Sequence, residues 1–77
     1  MDVLEIPGCP DGSLRAIAYL RNREPDDIEI RTPDGQCAAV LKIVLPLLGY
    51  IVVDAYAQGS THVIRIRRAG RGAEGAP

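Results

Sequence analysis

The chain has 77 residues, which is enough for one small domain and no more. Its 47% of apolar and 25% of charged residues are typical of a folded protein and exclude an intrinsically disordered one. The formal net charge of −1 argues against a dedicated nucleic-acid binder, because such proteins carry a basic excess. Two cysteines and one histidine are too few for a four-ligand Cys/His zinc site, so we expect no metal and no cofactor.

The sequence also predicts a protein that contacts no membrane. The longest segment without a charge, residues 43–53, is too short to span a bilayer and contains Pro46 and Gly49. The chain opens with Met1 and Asp2 and lacks the basic segment that begins a secretion signal. We therefore expect a cytoplasmic protein.

A strand and a helix are predicted in the first third of the chain. Residues 2–6 alternate between apolar and polar side chains, which indicates a short strand. The helix begins either with Pro10 in its first turn or later, with Ser13 as its N-cap, and ends near Arg23 before Pro25. Its apolar face is expected to comprise Leu14, Ile17 and Ala18, with Arg15 and Arg21 opposite.

A second strand and a second helix follow. Residues 27–31 alternate like a strand with one wet face, and Asp34 can cap the helix after it. Lys42 is the only charge of this helix, so we expect it to be largely covered, and Gly49 is a good stop. The helical spacing places on one stripe Cys37, Val40, Leu41, Val44, Leu45 and Leu48.

The remaining segments predict a hairpin and a tail. Alternation over residues 50–56 places Ile51, Val53 and Ala55 on one face and Tyr50, Val52, Asp54 and Tyr56 on the other. In the last strand, residues 62–68, the inward residues are Ile64 and Ile66, and the outward residues are Val63, Arg65 and Arg67. Residues 69–77 are expected to form a disordered tail.

These segments define an α+β fold in the order β-α-β-α-β-β. We expect a two-layer sandwich with two helices on one face of a four-stranded mixed sheet. The domain covers residues 1–68, and the open sheet face carries polar side chains: Glu29, Arg31, Asp54, Tyr56, Arg65 and Arg67.

Cys9 is the strongest candidate for a chemical role. It follows a strand and a Pro-Gly turn and comes just before the first helix. The unpaired N–H groups and the positive end of the dipole at a helix N-terminus favour the thiolate, which is the reactive form of cysteine.

The segment Leu4-Glu5-Ile6-Pro7-Gly8-Cys9-Pro10-Asp11-Gly12 resembles the N-terminal signature of the TusA-like (SirA-like) sulfur-carrier family. In that family a Gly-x-x-Cys-Pro-x-Pro motif begins the first helix of a β-α-β-α-β-β domain. The resemblance covers residues 3–68, and its only specific motif match is Cys9-Pro10. The chain departs from the motif twice: Gly12 replaces the second Pro, and Gly8 directly precedes Cys9.

The resemblance implies a sulfur carrier. Cys9 accepts sulfane sulfur as a persulfide from a donor protein of the cysteine desulfurase or rhodanese type and passes it to an acceptor protein, with Pro10 as the supporting motif residue. The tighter loop at Gly8 and the flexible Gly12 imply a diverged member and a looser setting for Cys9.

Other residues allow more than one interpretation. Cys37 on the apolar stripe indicates a core thiol, while a resolving or second sulfur-binding role stays open. A Cys9–Cys37 disulfide requires the two helix N-termini to lie together, with Cα atoms within about 7 Å. Arg15, Arg65 and Arg67 are candidate partner-binding cations, or simply solvated surface residues.

Two alternatives remain beside the carrier. Nucleic-acid-binding domains of the Alba-like and initiation-factor-3 C-terminal-like kinds share the same element order, and here Arg65, Arg67, Arg68 and Arg71 would contact phosphates. The low count of lysine and the net charge rank this interpretation below the first. The other is an interaction or regulatory module whose chemistry has lapsed.

Overall fold

A computed structural model describes residues 1–69 of the chain. Four strands and two helices alternate in the predicted order. Their bounds are β1 Asp2–Glu5, α1 Asp11–Arg23, β2 Asp27–Thr32, α2 Gly35–Leu47, β3 Tyr50–Gln58 and β4 Thr61–Arg68. The segments match the predictions to within two residues at each boundary, and the predicted tail lies outside the described residues apart from Ala69.

The four strands form one mixed sheet in the order β1-β2-β4-β3. Strands β1 and β2 are parallel, while β4 runs antiparallel to both β2 and β3. Side chains of both helices join one buried cluster with the inward side chains of the sheet, so the helices cover the same face. The predicted two-layer α+β sandwich is therefore confirmed.

The core between these layers is aliphatic. Ile28, Ile30, Ile64 and Ile66 project from the two central strands and are almost fully buried. Ile28 pairs with Ile66 and Ile30 with Ile64, so the four side chains form a compact block under the helices. The helices contribute to the same block Ala16, Leu20, Leu41 and Leu45.

Helix α1 begins early and turns a different face to the sheet than predicted. Pro10 is its N-cap residue, and Ser13 lies inside the helix, where its hydroxyl donates to the Pro10 carbonyl over 2.9 Å. The buried row is Gly12, Ala16 and Leu20. The expectation for Leu14 and Ala18 was wrong, since both are exposed. The absence of a side chain at Gly12 lets the helix lie close against Pro7 in the loop after β1, and Ala16 and Leu20 then face the core.

Truncation of Leu14 tests this orientation. Leu14 is 63% exposed, so we expect Leu14→Ala to change the free energy of unfolding by less than about 0.5 kcal/mol. Urea denaturation followed by circular dichroism measures this. A loss of about 2 kcal/mol or more, which is usual for a buried leucine, would show that Leu14 faces the core.

Helix α2 is covered on only one side. Cys37, Leu41 and Leu45 of the predicted stripe are buried, but Val40 is 44% exposed and Val44 and Leu48 are half-buried. The prediction of a largely covered helix was wrong, because an apolar surface remains in solvent on the side that carries Ile43 and Leu47. Pro46 lies in the last turn, and Gly49 follows with φ of 91°, which ends the helix as predicted.

A β-bulge in β3 changes the faces predicted for that strand. The pairing with β4 shifts between Val52 and Asp54. Val52 therefore shares the helix-covered face with Tyr50, whereas Asp54 lies on the open face, so placing all three on one face was wrong.

On the open face Val63 is only 1% exposed, because it is flanked by Arg31 and Tyr56 on the neighbouring strands.

Candidate functional site: the Cys9–Cys37 pair

The parallel pairing of β1 and β2 brings two helix N-termini together. The carboxyl ends of parallel neighbouring strands lie at the same edge of a sheet, and here each strand leads through a short loop into a helix. Cys9 lies in the loop between β1 and α1, directly before the N-cap residue Pro10. Cys37 is the third residue of α2. The topology therefore places two sulfur atoms at one end of the domain.

Cys9 and Cys37 form a disulfide bond, with their Cα atoms 5.1 Å apart. Cys37 is fully buried and belongs to the core, as its position on the apolar stripe predicted, but it is not a free thiol. Cys9 is half-buried and packs against the core. The condition set for a disulfide, that the two helix N-termini lie together, is met.

The loop that carries Cys9 is held by hydrogen bonds on both sides. The Pro7 carbonyl accepts from the Thr32 hydroxyl at 3.3 Å, which joins the loop to the end of β2. The Gly12 N–H donates to the Gly8 carbonyl at 2.8 Å. A proline at position 12 could not make that bond, so Gly12 fastens the loop and does not loosen it. The peptide bond between Cys9 and Pro10 is cis.

Asp34 joins the loop of Cys9 to the helix of Cys37. Its Oδ1 accepts from the N–H of Gln36 at 2.9 Å and from the N–H of Cys37 at 3.4 Å, which makes it the predicted N-cap of α2. Its Oδ2 lies against Gly8, where an added Cβ would stand only 2.8 Å away. A side chain at position 8 would displace the capping carboxylate, and this explains why glycine precedes Cys9.

Removal of the cap is expected to destabilise the domain. Asp34→Ala leaves two helix N–H groups without their acceptor and should lower the free energy of unfolding by about 1 kcal/mol. Asp34→Asn, which keeps a capping oxygen, is the matched control and should lose less than half as much. Urea denaturation of both variants measures the difference. Equal losses would show that the carboxylate charge and not the cap stabilises the helix.

The three candidate partner-binding arginines lie in different surroundings. On the open sheet face Arg65 Nε lies 4.0 Å from Glu29, whose carboxylate also pairs with Arg31 Nε at 2.6 Å. That hydrogen bond and the charge of Glu29 raise the pKa of Arg31. Arg67 Nε lies 3.3 Å from Asp27. Arg15 is exposed on α1 and takes part in none of the ion pairs found among residues 1–69.

Neither cysteine lines any of the three surface clefts found among residues 1–69. These clefts have volumes of about 280, 540 and 220 Å³ and lie beside the ends of the sheet and between α2 and β3. Within residues 1–69, no three His, Cys, Asp or Glu side chains are grouped so that they could hold a metal ion. Neither α1 nor α2 is long and apolar enough to cross a membrane.

Comparison with protein-family models, with curated proteins and with solved structures found no match to this chain. The site must therefore be interpreted from its own geometry. Sequence reasoning identified Cys9 and the cap Asp34 and left the bond to Cys37 open as a conditional alternative, but it did not identify the contact between Asp34 and the Cys9 loop through Gly8. The bond could have been expected from one sequence signal: each cysteine follows shortly after one of two strands that are parallel neighbours.

Proposed function

We propose that the protein is a small sulfur carrier that accepts sulfane sulfur as a persulfide on Cys9 and passes it to a partner protein. The observation that carries the proposal is the position of Cys9, directly before the N-cap of α1 in a β-α-β-α-β-β domain. This is the position of the sulfur-accepting cysteine in the TusA-like family that the sequence resembles. Pro10 supports the site by beginning the helix.

The two cysteines differ in accessibility, and the difference favours Cys9 as the acceptor. Cys9 is half-buried, whereas Cys37 is fully buried. A donor protein must bring its persulfide sulfur into contact with the accepting thiolate, so only Cys9 is open to attack from outside. Carrier activity requires the reduced protein, because a cysteine in a disulfide has no thiolate to accept sulfur.

The surroundings of Cys9 favour protein partners over a small-molecule substrate. The three clefts described above contain neither cysteine. A sulfur carrier needs no substrate pocket, since a donor of the cysteine desulfurase or rhodanese type delivers the sulfur and an acceptor protein removes it. Arg15, exposed one turn into α1, is the basic residue that follows Cys9 most closely in the sequence and is a candidate contact for such a partner.

The pairing of the C-terminal arginines disfavours the nucleic-acid interpretation. Arg67 and Arg68 pair with carboxylates, and Arg65 Nε lies 4.0 Å from Glu29, which it shares with Arg31, so part of this positive charge is already compensated within the fold. Arg71, the remaining member of that cluster, lies outside the described residues. A phosphate-binding surface would need these guanidinium groups free to replace counterions.

A cytoplasmic location, which the sequence predicts, agrees with a disulfide that forms and breaks during function. Stable structural disulfides are rare in the reducing cytosol, where disulfides are usually transient and catalytic. In this interpretation the Cys9–Cys37 disulfide is a transient state that forms and is reduced again while the protein functions.

Sulfur loading of the reduced protein tests the proposal. Incubation of Cys37→Ser with a cysteine desulfurase and cysteine should add the mass of one sulfur atom, and a thiol reductant should remove it. Cys9→Ser, treated in the same way, should gain nothing. Intact-mass spectrometry distinguishes the two. The proposal fails if Cys37→Ser gains no sulfur, or if Cys9→Ser gains as much.

A further inference from the structure

The disulfide bond shows that the Cys37 sulfur can react with the sulfur of Cys9. The chain places its second thiol in the first turn of α2, fully buried, with its Cα only 5.1 Å from that of Cys9. Because Cys37 is fully buried in the core beside Cys9, its sulfur is shielded from donor proteins. It can therefore react with sulfur that arrives on Cys9 and with little else.

From this arrangement we infer that Cys37 is a resolving nucleophile, which attacks the Cys9 persulfide and releases the carried sulfur as hydrosulfide. The inference rests on the proposed function, because it needs sulfur to be loaded on Cys9. It adds a second product to carrier activity: in the absence of an acceptor protein, the loaded chain discharges itself.

The reaction is balanced without an external oxidant. The Cys37 thiolate attacks Sγ of Cys9, a bond forms between the two cysteine sulfurs, and the bond between Cys9 and the outer sulfur breaks. The electron pair of the broken bond leaves with the outer sulfur as hydrosulfide. Cys9 Sγ exchanges one S–S bond for another and keeps its oxidation state, so the outer sulfur is formally reduced by one electron and the Cys37 sulfur is oxidised by one. The persulfide reacts in its protonated form, and its proton leaves with the hydrosulfide. A dithiol reductant then opens the disulfide and restores both thiols.

The structure favours attack on the inner sulfur of the persulfide. The product of that attack is the Cys9–Cys37 bond, which the fold accommodates with Cys37 in the core. Attack on the outer sulfur would instead move the persulfide onto Cys37, where an additional sulfur atom must be packed beside fully buried side chains. Hydrosulfide is also a good leaving group, since its conjugate acid has a low pKa for a thiol.

Loading with a rhodanese and thiosulfate tests the inference, because this system contains no sulfide of its own. After reductant has been removed, the reduced wild-type protein should release one hydrosulfide per chain and become lighter than the reduced protein by two hydrogen atoms. Cys37→Ser and Cys37→Ala should keep the added sulfur at least about tenfold longer and release no hydrosulfide in that time. Circular dichroism of each variant shows that it is folded.

The outcomes separate this inference from the proposed function. A wild-type chain that gains sulfur and then keeps it, with no release of hydrosulfide and no Cys9–Cys37 bond formed, would overturn the inference alone, and this result needs no variant to fold. A sulfur atom that stays on the wild-type chain at Cys37, located by peptide mass analysis, would also overturn it. Failure of the wild type and of both Cys37 variants to gain sulfur or to release hydrosulfide would overturn both.

Discussion

Reduction of the Cys9–Cys37 disulfide is expected to lower the free energy of unfolding by about 3 kcal/mol. The bond closes a loop with a sequence separation of 28 residues, and the entropy that such a loop removes from the unfolded chain corresponds to about 3.5 kcal/mol at 25 °C. For a domain of this size, the melting temperature should fall by roughly 15 °C. Urea denaturation with and without a phosphine reductant measures the change.

The double variant Cys9→Ser/Cys37→Ala is the control for this measurement. It cannot form the bond, so the reductant should leave its denaturation midpoint unchanged. If the reductant shifts the wild-type midpoint no more than that of the double variant, the disulfide does not form in solution. A folded reduced protein is also a requirement of the proposed function, because sulfur loading needs the free Cys9 thiolate.

Gly12→Ala is expected to lower the free energy of unfolding by about 2 kcal/mol. An added Cβ would stand 2.1 Å from the Pro7 carbonyl oxygen, so the backbone of the Cys9 loop must move. That carbonyl also accepts from Thr32, and its displacement weakens the link between the loop and β2. Overpacking costs about 1–3 kcal/mol, and a contact with a backbone oxygen belongs at the upper end of that range. The better helix propensity of alanine offsets about 1 kcal/mol, which leaves a net loss of about 2 kcal/mol.

Gly35→Ala is the matched control, because it makes the same chemical change in the first turn of the other helix. Its added Cβ would meet the ring of His62 at 3.0 Å, and a side chain can move where a backbone carbonyl cannot. We expect a loss less than half that of Gly12→Ala in thermal denaturation. If Gly12→Ala is as stable as the wild type, the close approach of α1 to Pro7 does not exist in solution.

Much of the fold could be predicted from local sequence signals. Alternation of apolar residues predicted the strands, and Pro25 and Gly49 predicted the ends of the two helices. Asp34 predicted the start of α2. The element order then led directly to a two-layer sandwich. These signals are local, which is why one sequence is enough to interpret them.

The orientation of the helices could not be predicted in the same way. In α1 the periodicity of large apolar residues pointed to Leu14, but the helix approaches the loop through Gly12 and buries the small residue Ala16. In α2 almost every side chain is apolar, so the pattern contains no polar face that would show which side is exposed. The exposure of Ile43 and Leu47 could therefore not be predicted, because the sequence does not distinguish these residues from the buried Leu41.

The site could be predicted only in part, because it depends on strand order. Cys9 stood out by its position before a helix, but its contact with Cys37 requires β1 to lie beside β2 and parallel to it. That neighbourhood is a long-range property of the sheet. The bulge at Val53 is another case, since one extra residue in β3 reverses the faces that simple alternation assigns.

The most direct test of sulfur transport by Cys9 is the amount of cyanide-labile sulfur bound per chain after loading and gel filtration. Cyanide removes the outer sulfur of a persulfide, so the assay counts carried sulfur and does not respond to disulfides. For reduced Cys37→Ser we predict one labile sulfur per chain, and for Cys9→Ser none. No labile sulfur in Cys37→Ser, or equal amounts in the two variants, would contradict the account.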